Sequence, residues 1–273
     1  MTNYSFLASV YKNTKIDEMK ISVASMVGQT LPPEQIVIVE DGPIPQELEE
    51  YISQLVSDNQ ELYTIVPLDE NVGLGRALHE GMKHCRNELV ARMDTDDYSA
   101  LDRCAKQVAF MDEHPEYGVV GSNMSEFIGS VDNIVAHRNV PETHEEICEF
   151  LKSRCPFNHI SVMLRKSEVE KADGYQHWHF NEDYYLWARM YLAGCKFYNI
   201  QEDLVFARVG ENMYRRRGGY KYYKSERDLF KFMKQNKIIG WGAYQKAKFV
   251  RFVVQVLMPN SVRQWFFKKF ARS

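Results

Sequence analysis

The sequence predicts an α/β fold with a mostly parallel central sheet. The chain has 273 residues, 45% of them hydrophobic and 26% charged, a composition typical of a globular protein with a large core. In its N-terminal part, short runs rich in β-branched residues alternate with segments whose apolar residues recur at helical spacing. This alternation is typical of strands joined by helical crossovers, which form parallel sheets.

The predicted strands and helices follow this alternation as far as Met93, and beyond it their order is less regular. Up to Met93 we predict strand 5–10, helix 15–28, strand 35–40, strand 62–67, helix 73–86 and strand 88–93. Beyond it we predict helix 101–113, strands within 118–128, a turn at 131–133, strand 161–165 and a helix opening at Asn181. The second group predicts a mixed-sheet region added to the parallel one.

The net charge of −3 conceals two oppositely charged parts. From Tyr214 onward there are 16 Lys or Arg and two acidic residues, which leaves 18 basic and 35 acidic residues before it. Such asymmetry favours an anionic partner for the tail, either nucleic acid or a membrane surface. Since a nucleic-acid role leaves the acidic body unexplained, we expect no nucleic acid as partner.

Three carboxylates directly follow the predicted strand 88–93, those of Asp94, Asp96 and Asp97. Carboxylates this close repel one another, and a hard divalent cation with oxygen ligands relieves the repulsion. The cluster is therefore a candidate metal site. The alternative is a solvated acidic turn before the helix that begins near Leu101.

A second acidic strand end, Glu40 and Asp41, precedes Gly42. In open α/β sheets ligands bind at the carboxyl ends of strands, so both acidic strand ends are expected at one crevice. A carboxylate there can accept hydrogen bonds from a nucleobase N–H or a ribose hydroxyl. An ordinary acidic turn is the alternative.

The segment from Asn71 to Gly81 contains glycines but matches neither a nicotinamide nor a P-loop fingerprint, because Leu78 replaces the third glycine and no Lys-Ser/Thr follows. The small residues of this segment leave one helix face without large side chains, so the helix can approach a ligand or the sheet closely. Arg76 is placed to meet a diphosphate.

Further along, Glu182 and Asp183 open a helix, where acids are favoured by the helix dipole and where one of them can also serve as a general base. Trp178, flanked by two histidines, offers an aromatic surface suited to a sugar face. His159 is expected to be a hydrogen-bonded structural histidine before a functional one.

Taken in order, six segments resemble the family 2 glycosyltransferases of the GT-A fold: SFLASVYK, IVIVEDG, NVGLGRALHEG, MDTDD, DRCAKQ and NEDYYLWARM. The match spans roughly residues 4 to 210 and is closest to bacterial enzymes that assemble capsule, exopolysaccharide or lipopolysaccharide repeat units. The resemblance implies inverting transfer of a sugar from a nucleotide sugar, usually a UDP-sugar, with Mn²⁺ or Mg²⁺ as cofactor. A saccharide or polyprenyl-diphosphate-linked acceptor is expected.

The resemblance also implies roles for individual residues. The Asp-x-Asp motif falls on Asp94 and Asp96, with Asp96 as the direct metal ligand, and Asp183 is the implied base beside Glu182. Acceptor-binding residues are expected to be Trp178, His159 and Trp187. The nucleotide-sugar site is expected to comprise Ser9, Val10, Tyr11, Glu40, Asp41, Asn71, Gly73, Arg76, Asp94 and Thr95.

The sequence departs from the family pattern at two places, and each departure limits a residue role or an activity that the resemblance implies. Glu-Asp-Gly-Pro at 40–43 replaces the common Asp-Asp-Gly-Ser, which weakens the nucleoside role of Glu40. The Gln-x-x-Arg-Trp motif of processive synthases is absent after Asp183, which favours addition of a single sugar. A sugar-nucleotide nucleotidyltransferase and a non-catalytic carbohydrate-binding protein are the competing functions.

We divide the chain into a catalytic domain, 1–213, and a basic amphipathic helical region, 214–273. Helices are predicted at 218–238 and 241–257, with a short last helix after Pro259 that contains Trp265, Phe266 and Phe270. Aromatic and basic residues interleave here, as in helices that lie on anionic membranes, although packing of these helices on protein is the alternative. The five cysteines and the absence of a signal-peptide pattern predict a cytoplasmic enzyme, peripheral on the inner face of the membrane.

Overall fold

The structure is a computed structural model that describes residues 2–210 and 218–259. Its strands are β1 (Tyr4–Val10), β2 (Gln35–Glu40), β3 (Tyr63–Pro67), β4 (Leu89–Arg92), β5 (Tyr98–Ser99), β6 (Tyr117–Phe127), β7 (Ile134–Arg138), β8 (Met163–Arg165) and β9 (Lys196–Arg208). Its α-helices are α1 (Ile16–Val27), α2 (Gln46–Asp58), α3 (Leu74–His84), α4 (Arg103–Glu113), α5 (His144–Leu151), α6 (Lys166–Lys171), α7 (Glu182–Leu192), α8 (Tyr220–Gln235) and α9 (Trp241–Phe252).

These strands form one sheet in the order β3-β2-β1-β4-β8-β6-β9-β5, with β7 paired to β6. The first four strands are mutually parallel, whereas β8 runs antiparallel to both β4 and β6, and β5 antiparallel to β9. The predicted α/β fold, parallel at first and mixed later, is confirmed.

Helices cover both faces of the parallel part, because neighbouring residues of each strand point to opposite faces. Leu7 and Val37 face one core cluster, which also contains residues of α3, α7 and α8. Phe6 and Ile36 face the other, which α1, α2 and α4 complete. Apolar residues on both faces explain why β1 and β2 are almost continuously hydrophobic in sequence.

The thin helix face predicted at 73–81 packs against the sheet at its C-terminal end. A Cβ atom at Gly81 would lie 2.5 Å from both Leu7 Cδ1 and Val39 Cγ2. Any larger residue would therefore push α3 away from β1 and β2, and close packing accounts for this glycine.

Helices α8 and α9 lie within the spans predicted for them. Leu229, Phe230 and Met233 of α8 are fully buried and belong to the same core cluster as α7. The predicted last helix, with Trp265, Phe266 and Phe270, lies outside the described residues. Among the residues that are described, no helix is long and apolar enough to cross a bilayer.

Six elements are absent from the predictions: the short elements β5, β7 and α6, the helices α2 and α5, and the long strand β9. In α2 only Leu48 and Ile52 are buried, so its apolar stripe is narrow. In β9 polar residues interrupt the apolar pattern, and the pairing with β6 shifts register near Ser122 and Asn123. These irregularities conceal the two-residue period on which strand prediction depends.

Candidate active site

The carboxyl ends of β1, β2 and β4 meet at one edge of the sheet. β1 lies between the other two, with Val10 opposite Glu40 of β2 and Leu7 opposite Arg92 of β4. Chain order reverses here, since β2 and β3 lie on one side of β1 and β4 lies on the other. This is the position at which open α/β sheets bind ligands. The two acidic strand ends therefore lie at the same edge of the sheet.

Asp41 holds the loop that leads into α3. Its carboxylate accepts hydrogen bonds from the backbone N–H of Val72 at 2.7 Å and of Gly73 at 3.1 Å, and from Asn71 Nδ2 at 3.0 Å. Gly42 makes this contact possible: its φ is +81°, and a Cβ there would lie 2.5 Å from the backbone nitrogen of Asn71. The structure thus gives Asp41 and Asn71 a loop-anchoring role that the sequence did not reveal.

The remaining residues predicted to bind the nucleotide sugar lie around this edge. Tyr11 is exposed, Ser9 and Glu40 are half-buried, and Arg76 is exposed on the first turn of α3. Thr95 is buried and its hydroxyl donates to the carbonyl of Ser9 at 3.4 Å, which joins the ends of β1 and β4. Val10 is fully buried, so only its backbone is placed to contact a ligand.

The acidic cluster after β4 is the one group of three or more metal-ligating side chains found in residues 2–210 and 218–259. Oxygens of Asp94, Asp96 and Asp97 all lie within 4.8 Å of one another. Asp94 forms an ion pair with Arg92 at 2.6 Å, and Asp97 accepts the backbone N–H of Arg208 at 2.7 Å. Asp96 reaches solvent and is the member best placed to receive a ligand.

The charge state of the cluster fits a divalent cation. Partial desolvation and the neighbouring charge of Asp94 raise the pKa of Asp96 to about 6. Burial, with the charges of Asp96 and Asp94, raises the pKa of Asp97 well above its ordinary value. These upward shifts show that the carboxylates resist ionising together, a repulsion that a bound cation would relieve, and oxygen ligands at this spacing suit Mn²⁺ or Mg²⁺.

A buried arginine connects this cluster with the rest of the crevice. Arg92 is 1% exposed, and its Nε and Nη1 have no hydrogen-bond partner among the described residues. Its ion pair with Asp94 occupies one oxygen of that carboxylate, which leaves Asp96 as the freer ligand. The sequence contained a signal for this residue, a charged side chain inside the apolar run ELVARM, but the prediction did not use it.

The second pair of carboxylates lies at the N-terminus of α7. Asp183 Oδ1 accepts the backbone N–H of Tyr184 at 2.7 Å, and the thiol of Cys155 donates to Asp183 Oδ2 at 3.5 Å. Both partners are uncharged hydrogen-bond donors. They orient the carboxylate without neutralising it, which preserves its ability to accept a proton.

The two acidic segments act on one another electrostatically. Burial raises the pKa of Glu182 to about 7, with further increases from Asp183 and from Asp94, while Arg92 opposes them. Burial also raises the pKa of the Tyr175 phenol, on which the charges of Arg92, Asp183, Glu182 and Asp94 act as well. Residues far apart along the chain therefore contribute carboxylates to one region.

We expect the metal-free protein to lose stability as the pH rises from about 5 to 8. Folding raises the pKa of Glu182 from 4.5 to about 7, so the folded state holds a proton that the unfolded state has released in this window. This stabilisation is complete below the pKa of Glu182 in the unfolded chain and is lost above its pKa in the folded protein. Denaturant unfolding in EDTA at both pH values measures it.

Glu182→Gln should reduce that pH dependence by about 1–3 kcal/mol, since glutamine cannot ionise. Glu170→Gln, a change at an exposed glutamate, is the control and should leave the dependence unaltered. An equal slope in wild type and Glu182→Gln would show that Glu182 ionises as in the unfolded chain.

The acceptor residues predicted from sequence need correction. Trp187 is 0% exposed and packs against Phe157 with ring centroids 5.0 Å apart, so it is a core residue and not an acceptor contact. Trp178 is half-buried, and its indole N–H donates to the carbonyl of Ser225 at 3.1 Å. That hydrogen bond ties the loop before α7 to α8.

His159 is half-buried and hydrogen-bonded, as the sequence suggested. Its Nε2 lies 2.9 Å from the hydroxyl of Tyr175. Burial, together with the charge of Arg92, lowers its pKa well below the ordinary value, so the ring is neutral at pH 7. A neutral His159 helps to fix Tyr175 beside the two carboxylates of α7.

Comparison with known proteins identifies one family and several similar proteins. Residues 7–170 match the family described as Glycosyl transferase family 2. The chain is 38% identical to an uncharacterised glycosyltransferase of Haemophilus influenzae, over 98% of this chain and 99% of that protein. It is 34% identical to the amylovoran biosynthesis glycosyltransferase AmsE of Erwinia amylovora, over 97% and 98%.

A third relative has a defined reaction in its name. It is the UDP-Gal:α-D-GlcNAc-diphosphoundecaprenol β-1,3-galactosyltransferase of Escherichia coli, 30% identical over 98% of this chain and 96% of that one. Among solved structures, TarS 1–349 of S. aureus with UDP-GlcNAc has a TM-score of 0.68, 17% identity, and coverage of 98% and 76%. Mannosyltransferase PcManGT of Pyrobaculum calidifontis, with GDP-Man and Mn²⁺, has a TM-score of 0.64, 13% identity, and coverage of 96% and 72%.

Proposed function

Because this chain belongs to glycosyl transferase family 2 and is a glycosyltransferase of surface-polysaccharide biosynthesis, we propose that it adds one sugar, with inversion, from a UDP-sugar to a lipid-linked saccharide. The observation that carries the proposal is the position of the acidic pair of α7: Asp41 holds the loop that leads into α3, and a Cβ at Gly75 of α3 would lie 3.0 Å from Glu182 Cβ. A leaving diphosphate and an attacking hydroxyl need such groups on either side of the anomeric carbon.

Asp96 and Asp94 would hold the divalent ion. The chemistry that a bound Mn²⁺ or Mg²⁺ supplies is Lewis-acid stabilisation of the charge that builds up on the diphosphate. PcManGT, a neighbour in fold, is in complex with GDP-Man and Mn²⁺, which supports a divalent ion as cofactor. Arg92 fixes Asp94 through their ion pair, so the ligand set is oriented before the donor arrives.

Asp183 would act as the general base. An oxygen of its carboxylate accepts the proton of the acceptor hydroxyl while that hydroxyl oxygen bonds to the anomeric carbon and the bond to the donor phosphate breaks. A single displacement of this kind inverts the anomeric configuration. Glu182, with a pKa of about 7, is about half protonated at neutral pH, which limits the negative charge beside the base.

A lipid-linked acceptor agrees with the reaction named for the E. coli relative. The assay follows sugar transfer from UDP-galactose, UDP-glucose and UDP-GlcNAc to synthetic GlcNAc-diphosphoundecaprenol, with Mn²⁺ and with EDTA. We expect one sugar to be added from one donor, only with metal, and with inverted configuration. Transfer that EDTA leaves unchanged, or pyrophosphate exchange between UTP and a sugar phosphate instead of transfer, would refute the proposal.

We also propose that α8 and α9 place the enzyme on the anionic inner face of the membrane. Besides the residues that these helices bury, large side chains in them and just after α9 are exposed: Tyr220 by 60%, Trp241 by 67%, Phe249 by 69% and, after α9, Leu257 by 62%. Lys221, Lys224, Lys246 and Lys248 are exposed among them. Aromatic and basic side chains in this mixture favour the membrane interface.

Sedimentation with phosphatidylglycerol vesicles tests this placement. The double variant Trp241→Ala with Phe249→Ala should bind about ten-fold more weakly than wild type, because each ring contributes apolar area to the interface. Ile128→Ala, at a side chain that is 50% exposed in the loop between β6 and β7, is the matched control. Equal binding by all three proteins, or no binding by wild type, would contradict the placement.

A further inference from the structure

One aromatic side chain at the crevice remains without a role. Phe180 is 53% exposed and precedes Asn181 and Glu182, at the entrance to α7. The neighbouring aromatic residues Tyr175, Trp178 and Trp187 are buried or half-buried. Single exposed apolar side chains are common on protein surfaces, and what distinguishes Phe180 is its backbone conformation.

The backbone at Phe180 is strained. Its φ is +58°, a conformation that bulky side chains rarely adopt, and the described residues share it at only two other non-glycine positions, Asp173 and Lys237. Strain of this kind persists only where the surroundings impose it, and it concentrates at functional sites. The left-handed conformation turns the chain sharply just before α7.

Ser225 of α8 imposes this turn from both sides of Phe180. Its hydroxyl donates to the carbonyl of His179 at 2.6 Å and accepts from Asn181 Nδ2 at 3.2 Å, while its carbonyl accepts from the indole of Trp178. The residues immediately before and after Phe180 are therefore pinned to the same serine. The phenyl ring is left 53% exposed, and its aromatic neighbours among the described residues are the rings of His179 at 4.4 Å and Tyr222 at 6.3 Å.

The same loop borders the nucleotide side of the crevice. A Cβ at Gly75 would lie 2.7 Å from the carbonyl of Gln176 and 3.0 Å from Glu182 Cβ, so the start of α3 touches both the loop and the acidic pair. Phe180 directly precedes the N-cap residue of α7, the helix whose first turn carries Glu182 and the proposed base Asp183.

We propose that Phe180 is an acceptor-binding residue whose ring stacks on the apolar face of the acceptor's terminal sugar. The proposal rests on the function proposed above. Sugar rings present C–H groups on one face, and an exposed, rigidly held aromatic ring binds such a face without needing charge. Phe180 replaces Trp187 and Trp178 in this role, because those rings are turned into the protein.

Phe180→Asn tests the proposal, because asparagine tolerates a positive φ and lacks the ring. With the donor that supports transfer and GlcNAc-diphosphoundecaprenol as probe, we expect the KM for acceptor to rise about five-fold, the effect of losing one aromatic contact. The KM for donor and the metal-dependent hydrolysis of the UDP-sugar should stay at wild-type values, and the thermal midpoint should not fall. Phe180→Tyr should retain the wild-type KM for acceptor.

Lys237→Asn is the matched control, since Lys237 has a φ of +60° at the end of α8. It should show a similar thermal midpoint and an unchanged KM for acceptor. A wild-type KM for acceptor in Phe180→Asn would overturn the proposal, as would weakened vesicle binding with unchanged transfer, which would assign the ring to the membrane. If wild type itself hydrolyses no donor with metal, the proposed function fails, and this inference fails with it.

Discussion

Replacing Asp183 with asparagine is expected to reduce sugar transfer by about two to four orders of magnitude, the usual contribution of a general base. Asparagine keeps the shape and can still accept the N–H of Tyr184, but its amide cannot take a proton from the acceptor. Donor affinity should stay within about two-fold of wild type, because we propose that the donor diphosphate binds at the other acidic segment. Transfer rates under donor saturation, with donor affinity from calorimetry, separate the two effects.

Two further variants test whether the loss of transfer is specific to Asp183. Glu145→Gln changes another acidic residue in the first turn of a helix, α5, and should leave transfer unchanged. Glu182→Gln should reduce transfer less than Asp183→Asn does. If Asp183→Asn turns over normally while Glu182→Gln is inactive, the base is Glu182 and the assignment of Asp183 is wrong.

The second large effect is expected for Asp96→Asn. Removing the freest carboxylate of the cluster should lower metal-dependent turnover by about 100-fold or more, which corresponds to loss of several kcal/mol of charge stabilisation in the transition state. It should also abolish the thermal protection that UDP with Mn²⁺ gives to the native state. The metal-free variant should be no less stable than wild type, since Asp96 is repelled by Asp94.

Unchanged stability of metal-free Asp96→Asn would show that the substitution removes the metal site without damaging the fold. Asp132→Asn, at an exposed aspartate in the loop between β6 and β7, provides the matched control and should preserve both turnover and thermal protection. Full protection by UDP with Mn²⁺ in Asp96→Asn would show that the ion is held elsewhere.

Local patterns in the sequence were sufficient to predict the parallel half of the fold and its acidic strand ends. The runs SFLASV and QIVIVE are buried on both faces, so composition alone marks them as strands. Strand ends in a parallel sheet share one edge, and this rule predicts Glu40 and Asp94 at the same edge, where the structure has them.

Contacts between distant segments were not predictable in this way. Asp41 binds the backbone of the loop at 71–73, and Cys155 reaches Asp183 across 28 positions of sequence. Neither residue carries a local pattern for these roles. The predicted acceptor residue Trp187 failed for a related reason, since an aromatic residue near a catalytic pair looks the same in sequence whether it faces ligand or core.

In contrast to Trp187, Phe180 was given no role in the sequence-based predictions. Phenylalanine gives no sign in sequence of a positive φ, because its conformation here is imposed by Ser225 of a later helix. Only the folded chain shows that the ring is left exposed.

The claim on which the other proposals depend is that Asp96 and Asp183 serve opposite sides of one sugar-transfer site. Anomalous diffraction from crystals of the protein grown with Mn²⁺ and a non-transferable UDP-sugar analogue tests it most directly. We expect the manganese signal beside the carboxylate of Asp96, and the anomeric carbon of the analogue facing the carboxylate of Asp183. A manganese ion bound away from Asp96, or a sugar turned away from Asp183, would contradict the claim.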